Sequence, residues 1–219
     1  MNSFQPLNLA KIALEIGAVK INADNPFQWA SGYQMPVYND NRLFLGNAEH
    51  RKLIGEGLQS LIQASKIPAD VIAGTATAGI PHATTLANIL KVPLVYVRGA
   101  PKGHGLENQI EGILHKKQNV VVIEDVISTG GSALKAVEIL REAGATVRHC
   151  LCIFDYGFQK AVSGFDKARC GLHSLFTFET LIQYASDSGI ICPEEKDLLN
   201  SWYRNPFEWG EKRGFPRIN

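Results

Sequence analysis

Short apolar runs alternate with amphipathic stretches along most of the chain, and this alternation predicts its secondary structure. Four apolar runs have the composition of strands buried on both faces. They are Val71–Gly74, Leu94–Arg98, Val120–Ile123 and Thr146–Phe154. Helical spacing of apolar residues predicts helices over Asn8–Val19, Asn47–Ala64, Ile80–Leu90 and Ala133–Ala143. The remaining patterned stretch, Phe27–Asp40, is aromatic and interrupted by Gly and Pro, which predicts short strands joined by turns.

Strands that alternate with helices form a parallel sheet covered by helices on both faces, so the predicted fold class is α/β. A chain of 219 residues can bury a sizeable core as one domain, and we expect a single domain over residues 1–219. Ligands of such sheets bind beyond the carboxyl ends of the strands. Three segments with candidate chemistry lie there: Thr75–Gly79, Gly99–Gln109 and Glu124–Ser132.

Two adjacent acids follow the most apolar of these strands. Because Glu124 and Asp125 would be costly inside a core, we expect both at the mouth of the strand, where a ligand can use them. The turn Ser128–Ser132 then offers hydroxyls and unhindered backbone N–H groups at the start of a helix, which favours a phosphate. Acids beside a phosphate cradle suggest a sugar phosphate. An ordinary strand–turn–helix with a Ser/Thr cap is the alternative interpretation.

Composition narrows the functional classes. The net charge of +1 provides no broad basic field for nucleic acid or for an anionic membrane. The 4 cysteines lack the paired Cys-x-x-Cys spacing of a zinc site, and no residue is predicted to be a metal ligand. We expect Cys150 and Cys152 to be reduced thiols of the core. Because neither a signal segment nor a membrane-spanning stretch is evident, the expected location is the cytoplasm.

The run Val120–Ser132 resembles the phosphoribosyl-pyrophosphate (PRPP) signature of the type I phosphoribosyltransferases. The resemblance implies the fold of that family and PRPP as a substrate. It also makes Thr75–Gly79 similar to the family's pyrophosphate loop. The residues that it implies for PRPP binding are Arg98, Lys102, His104, Glu124, Asp125, Val126, Ile127, Ser128, Thr129, Gly130, Gly131 and Ser132.

Two further segments resemble one branch of that family. Arg98-x-x-x-Lys102-x-His104-Gly105 is similar to the catalytic loop of the orotate phosphoribosyltransferases, and Phe27–Asp40 is similar to their N-terminal segment. The resemblance implies a hood over the base, contributed by about residues 1–45, and a homodimer whose loop closes over the neighbouring subunit's site. Taken alone, these segments also fit a solvated loop with incidental charges and a core-packed hairpin.

The activity that the resemblance implies is transfer of ribose 5-phosphate from PRPP to orotate, giving orotidine 5′-phosphate and pyrophosphate. It implies Lys102, Asp125 and His104 as catalytic residues, Ser128 as a contact of the base, and Mg²⁺ held mainly by the substrate. The alternatives are a phosphoribosyltransferase for another base and a PRPP-sensing regulator without turnover.

The chain departs from the family pattern at several positions. Many members carry Lys where this chain has Ala30 and Ala78, a second cation in place of Gly99, and Arg in place of Tyr156. The residue that binds the carboxylate of orotate is therefore not predicted. Arg42 and Lys20 are candidates for a compensating positive charge.

Overall fold

The computed structural model describes residues 5–100 and 109–218. The described helices are α1 (Pro6–Glu15), α2 (Ala48–Ala64), α3 (Gly79–Leu90), α4 (Gly131–Glu142), α5 (Gln159–Lys167), α6 (Phe178–Asp187), α7 (Pro193–Arg204) and α8 (Pro206–Lys212), with a 3₁₀ helix over Asn41–Gly46. The described strands are β1 (Val19–Ile21), β2 (Phe27–Gln28), β3 (Gln34–Met35), β4 (Val37–Asn39), β5 (Val71–Thr75), β6 (Leu94–Val97), β7 (Ile110–Glu111), β8 (Asn119–Ile127), β9 (Thr146–Asp155) and β10 (Gly171–Thr177).

The main sheet is parallel except at one edge. Its six described strands lie in the order β10-β9-β8-β5-β6-β7. Neighbouring strands from β10 to β6 pair in parallel, and β7 pairs with β6 in the antiparallel direction. Two small antiparallel pairs, β1 with β4 and β2 with β3, precede this sheet in the chain. The predicted α/β class with a parallel sheet is confirmed.

Helices cover both faces of the sheet, because successive side chains of a strand point to opposite faces. Ile72, Val121 and Leu151 pack in one buried cluster with residues of α1, α2, α3 and α6. Their neighbours Val71 and Val122 pack in a second cluster with residues of α4 and α5. The near-continuous apolar runs of the central strands follow from this double burial. None of the described helices is both long and apolar enough to cross a bilayer.

The central strand β8 is longer than its apolar run. It continues through both acids to Ile127, with Glu124 opposite Cys152 and Val126 opposite Phe154 of β9. The expectation that Glu124 and Asp125 follow the strand was therefore wrong: both belong to it, and Glu124 is only 6% exposed. Hydrogen bonds from neighbouring elements to both carboxylate oxygens make this burial tolerable.

The two ends of the chain differ most from the pattern-based prediction. Helix α1 starts at Pro6 and ends at Glu15, because Gly17 with its φ of +72° breaks the helix and Val19 already belongs to β1. Within the first 45 residues, α1 packs against the main sheet, whereas the stretch from Trp29 to Asn41 reaches the candidate site. The elements from α5 to α8 were not predicted at all.

Candidate active site

A buried carboxylate links three elements at the carboxyl end of the sheet. Oε1 of Glu124 accepts a hydrogen bond of 2.6 Å from Oγ1 of Thr75, the last residue of β5. Oε2 of Glu124 accepts one of 2.9 Å from Oγ of Ser132 in the first turn of α4. Both carboxylate oxygens are thus engaged by hydroxyls of neighbouring elements, and Glu124 fixes the ends of β5, β8 and α4 relative to one another.

The second acid, Asp125, has a perturbed pKa. Burial, together with the negative charge of Glu124, raises the pKa of Asp125 to about 7. The backbone carbonyl of Asp125 accepts a hydrogen bond of 2.6 Å from Nδ2 of Asn41, a fully buried residue of the 3₁₀ helix. Nδ2 of Asn39 in turn donates to Oδ1 of Asn41 at 3.1 Å. This chain of hydrogen bonds connects the N-terminal strands to the acid pair.

The turn Ser128–Ser132 presents the start of α4 beside these acids. Gly130 occupies the N-cap position with a φ of +78° and has no side chain with which to cap the helix. By contrast, Oδ1 of Asn47 caps α2 by accepting from the N–H of Glu49. The first N–H groups of an α-helix have no partner within the helix, so this turn offers them to an external anion.

A second tight turn, Thr75–Gly79, lies on the neighbouring strand and opens α3. A Cβ added at Gly79 would lie only 2.5 Å from Oγ1 of Thr75 and would also meet the carbonyl oxygen of Ile123. Glycine is therefore required where this turn passes the acid pair. Since β5 and β8 are adjacent and parallel, the structure brings Thr75–Gly79 and Glu124–Ser132 to the same edge of the sheet.

Next to the acid pair lies a cavity of about 330 Å³. It is lined by Trp29, Ala30, Ser31, Tyr38, Asn39, Val126, Ser128 and Tyr156. The rings of Trp29 and Tyr156 pack together with their centroids 5.1 Å apart. Nε1 of Trp29 donates to the carbonyl oxygen of Val37 at 2.9 Å. The described residues that line the cavity include no charged side chain. Its aromatic walls and scattered hydroxyl and amide groups suit a planar heterocycle.

The cations predicted for the site are not all placed by the structure. Arg98 follows β6, and its Nη1 lies 3.4 Å from Oε1 of Glu111. Lys102 and His104 lie outside the described residues. Arg42 pairs with Asp40, with 2.6 Å between its Nε and Oδ1 of the carboxylate.

Two of the positions that depart from the family pattern, Ala30 and Tyr156, belong to the wall of the cavity. Lys20 lies opposite Tyr38 in the β1–β4 register. The carbonyl oxygen of Gly99 accepts from Nζ of Lys135 at 3.3 Å. Neutral side chains therefore occupy two positions of the wall at which many members carry a cation.

Sequence reasoning missed three residues that shape the site. Thr75 was predicted only as part of the segment that resembles the family's pyrophosphate loop, although it donates a hydrogen bond to Glu124 directly. Asn39 and Asn41 were not singled out, because neither belongs to a recognisable motif. The only available signal was that an Asn in an otherwise apolar, aromatic stretch needs hydrogen-bond partners if it is buried.

The acid pair, the helix start without a side-chain cap and the aromatic cavity lie together at the carboxyl end of a parallel sheet. This arrangement fits the class that the sequence resembles, the type I phosphoribosyltransferases. The family described as "Phosphoribosyl transferase domain" matches residues 47–181. Orotate phosphoribosyltransferase of Listeria monocytogenes serotype 4b is 46% identical over 93% of this chain and 97% of the relative. That of Coxiella burnetii is 44% identical over 94% of this chain and 98% of the relative.

Solved structures agree with these relatives. The crystal structure of orotate phosphoribosyltransferase from Aeropyrum pernix superimposes with a TM-score of 0.73 at 34% identity, covering 84% of this chain and 99% of the other. Since both the family match and the relatives extend over most of the chain, it belongs to the orotate phosphoribosyltransferase family.

Proposed function

We propose that the protein transfers ribose 5-phosphate from PRPP to orotate, giving orotidine 5′-phosphate and pyrophosphate. The observation that carries the proposal is that Ser128, three residues after Asp125, belongs to the phosphate-type turn Ser128–Ser132 and also lines the aromatic cavity. A sugar phosphate whose ribose binds Asp125 would place its phosphate at this turn and its C1 atom beside the cavity. The membership of the chain in the orotate phosphoribosyltransferase family supports the same base.

In this proposal each end of PRPP has its own partner. The N–H groups of Gly131 and Ser132, together with the hydroxyls of Ser128 and Thr129, hold the 5-phosphate. The carboxylate of Asp125 accepts hydrogen bonds from the ribose hydroxyls. Glu124 supports the cradle from behind, because Thr75 and Ser132 already occupy its oxygens.

The reaction breaks the bond between the ribose C1 and the diphosphate oxygen, and a ring nitrogen of orotate forms the new bond to C1. Positive charge develops on the ribose ring in the transition state, and the negative charge of Asp125 stabilises it. Arg98, Lys102 and His104 neutralise the departing pyrophosphate in this scheme, and Lys102 donates a proton to its leaving oxygen. The proton that the ring nitrogen of orotate releases balances this donation. Ser128, which lines the cavity, contacts the base.

The oxygen ligands of this site suit a magnesium ion that is shared between Asp125 and the substrate. Mg²⁺ prefers oxygen ligands, and the Asp125 carboxylate provides them. Among the described residues there is no cluster of three or more His, Cys, Asp or Glu able to hold a metal ion. Asp125 would therefore assist an ion bound mainly by ribose and diphosphate oxygens, and the ion would offset the charge of the diphosphate.

The test is an assay of pyrophosphate release from PRPP with orotate, uracil, hypoxanthine and adenine in parallel, with orotidine 5′-phosphate identified by chromatography. We expect release with orotate and little or none with the other three bases. Faster release with a purine would contradict the proposed base. PRPP binding without release for any base would contradict an enzymatic function.

We also propose that the protein acts as a homodimer in which Lys102 completes the neighbouring subunit's site, as the resemblance of Arg98–Gly105 to the family's catalytic loop implies. Mixing Lys102→Ala with Asp125→Asn subunits tests this. If the loop acts on the neighbour, a mixed dimer contains one site with both residues intact. Activity that neither variant has alone is then expected, and its absence would contradict the exchange.

A cytoplasmic location is our further proposal. Cys150, Cys152 and Cys170 are buried with free thiols, and free thiols are typical of proteins in reducing compartments. Burial raises the pKa of the Cys150 and Cys152 thiols, which keeps them protonated and unreactive. Fractionation of the cells that make the protein would test the location.

A further inference from the structure

One wall of the aromatic cavity, which we call the base cavity because we propose that it binds the base, is the tight turn Trp29–Gly32 that joins β2 to β3. The N–H of Gly32 donates to the carbonyl oxygen of Trp29 at 2.8 Å, and the N–H of Trp29 donates to that of Tyr33 at 2.9 Å. Gly32 has a φ of +82°, a conformation that favours glycine. Trp29, Ala30 and Ser31 of this turn line the cavity, so the position of the turn sets the shape of that wall.

The last described residues of the chain lie directly on this turn. The N–H of Ile218 donates to the carbonyl oxygen of Gly32 at 2.9 Å. Nε of Arg217 donates to the carbonyl oxygen of Ser31 at 3.0 Å, and its guanidinium lies 4.7 Å from the centroid of the Tyr33 ring. A Cβ added at Gly32 would collide with the carbonyl oxygen of Ile218. Residues 217 and 218 therefore bind two consecutive carbonyls of the turn.

The segment Phe215–Ile218, which we call the C-terminal segment, is itself held from behind. The N–H of Phe215 donates to the carbonyl oxygen of Gly210 at 2.8 Å, and its ring stacks on Trp209 with centroids 6.3 Å apart. A Cβ at Gly210 would lie 2.9 Å from the carbonyl oxygen of Gln34, so α8 packs closely against β3. Helix α8 and the C-terminal segment thus hold the β2–β3 hairpin from outside the cavity.

We propose that the C-terminal segment positions the Ala30–Ser31 wall of the base cavity, and that Arg217 is a positioning residue for the base. This inference rests on the proposed function. Arg217 is exposed and does not line the cavity, so it acts through the backbone of Ser31. The phosphate-type turn and the acid pair are instead joined to each other by the hydrogen bond from Ser132 of α4 to Glu124 of β8. Loss of Arg217 therefore weakens the binding of orotate and spares that of PRPP.

Steady-state kinetics of the whole chain test whether the loss of Arg217 changes the KM for orotate but not the KM for PRPP. For Arg217→Ala we expect the KM for orotate to rise about 2- to 5-fold, the loss typical of an exposed cation–π contact. The KM for PRPP and kcat stay at wild-type values. Arg217→Lys keeps the cation beside Tyr33 and recovers part of the affinity for orotate. Ile218→Pro removes the N–H donor to Gly32 independently and is expected to give the same split.

Arg213→Ala is the matched control. Its guanidinium lies 5.4 Å from the Trp209 ring, a contact of the same kind at the same end of the chain but away from the turn. We expect its kinetic constants to match those of the wild type. An unchanged KM for orotate in both Arg217→Ala and Ile218→Pro, or a parallel rise of both KM values, would overturn the inference. A wild type that releases no pyrophosphate with orotate would instead refute the proposed function.

Discussion

At one end of the candidate site, which we call the phosphate end, the side chains of Thr75, Glu124 and Ser132 hydrogen-bond to one another. At the other end, the base end, aromatic rings from distant stretches of the chain pack together around the cavity. Glu124 is fixed by Thr75 and Ser132 at 2.6 and 2.9 Å. Trp29 and Tyr156 meet across the cavity from positions far apart in the sequence, with ring centroids 5.1 Å apart. The first end is held by directional bonds between charged or polar groups, and the second by burial and ring contacts.

This difference assigns different tasks to the two ends. Hydrogen bonds between buried groups fix the positions of charged and polar atoms closely. Such close positioning is needed to stabilise charge that develops only in the transition state. Aromatic packing tolerates small shifts and binds a flat ring mainly by contact area. We therefore expect substitutions at the phosphate end to lower kcat strongly, and substitutions at the base end to change the KM for orotate modestly.

The largest effect is expected for Asp125→Asn. The substitution removes the negative charge beside the ribose and leaves the shape of the side chain nearly unchanged. We expect kcat to fall about 10²- to 10³-fold, the usual cost of losing one group that stabilises transition-state charge. Thermal unfolding of the variant serves as the control for its fold. A near-normal kcat in a folded variant would remove the proposed distinction between the two ends.

Thr75→Val sharpens the comparison by leaving Oε1 of Glu124 without its hydroxyl donor. Because Oε1 still accepts from the backbone N–H of Asp125 at 3.2 Å, we expect the loss of one typical hydrogen bond, about 0.5–1.5 kcal/mol of unfolding free energy, measurable by urea denaturation. Thr84→Val is the matched control, because Oγ1 of Thr84 donates to the carbonyl oxygen of Ile80 within α3, away from the acid pair. If both variants lose the same stability, Glu124 is not the buried group that requires this bond.

The raised pKa of Asp125 predicts a pH dependence. Burial, and then the charge of Glu124, raises this pKa to about 7, so the protonated form is favoured and the loss of activity falls on the acid side. We expect kcat/KM for PRPP to decline about tenfold per pH unit below 7, because only the ionised form carries the negative charge that stabilises the developing positive charge on the ribose. Glu124→Gln removes one cause of the shift and moves the decline to lower pH.

Asp70→Asn is the control for the pH profile. Asp70 accepts from the backbone N–H of Asn119 at the opposite end of β8, which lowers the pKa of Asp70. Its removal leaves the decline of the kcat/KM for PRPP in place. A pH profile that is identical in wild type and Glu124→Gln would show that the decline does not belong to the acid pair.

The same contrast explains how much the sequence predicted. Apart from the 2-residue strand β7 and the end of β8, the strands and helices from Ala48 to Asp155 were predicted to within a few residues, because the apolar runs of the strands are continuous and buried on both faces. Glu124–Ser132 was found because the acids and the turn are contiguous in the chain. The length of β8 was missed, since the hydrogen bonds that allow Glu124 to be buried come from Thr75, far away in the sequence.

The base end was less predictable for a physical reason. Its wall combines Trp29, Tyr38 and Tyr156, which only tertiary packing brings together. The bonds that position it, from Asn41 to the Asp125 carbonyl and from Arg217 to the Ser31 carbonyl, join residues 84 and 186 positions apart. Side-chain donors to backbone carbonyls leave no spacing pattern in the sequence, so none of these contacts was foreseen.

The smallest expected effect tests the base end itself. Trp29→Phe keeps an aromatic wall but removes the Nε1 donor to the carbonyl oxygen of Val37, a bond of 2.9 Å. A typical hydrogen bond contributes about 0.5–1.5 kcal/mol, so we expect the KM for orotate to rise by a factor of about 2 to 12. Because Glu124 keeps its own hydrogen bonds from Thr75 and Ser132, we expect kcat and the KM for PRPP to change little.

Tyr203→Phe is the matched control for this variant. Its hydroxyl donates to the carbonyl oxygen of Gly157 at 3.0 Å, so the substitution removes one side-chain donor to the backbone outside the cavity. We expect Tyr203→Phe to leave the KM for orotate unchanged. If Trp29→Phe instead lowers kcat as strongly as Asp125→Asn, the aromatic wall takes part in stabilising the transition state, and the two ends of the site do not have separate tasks.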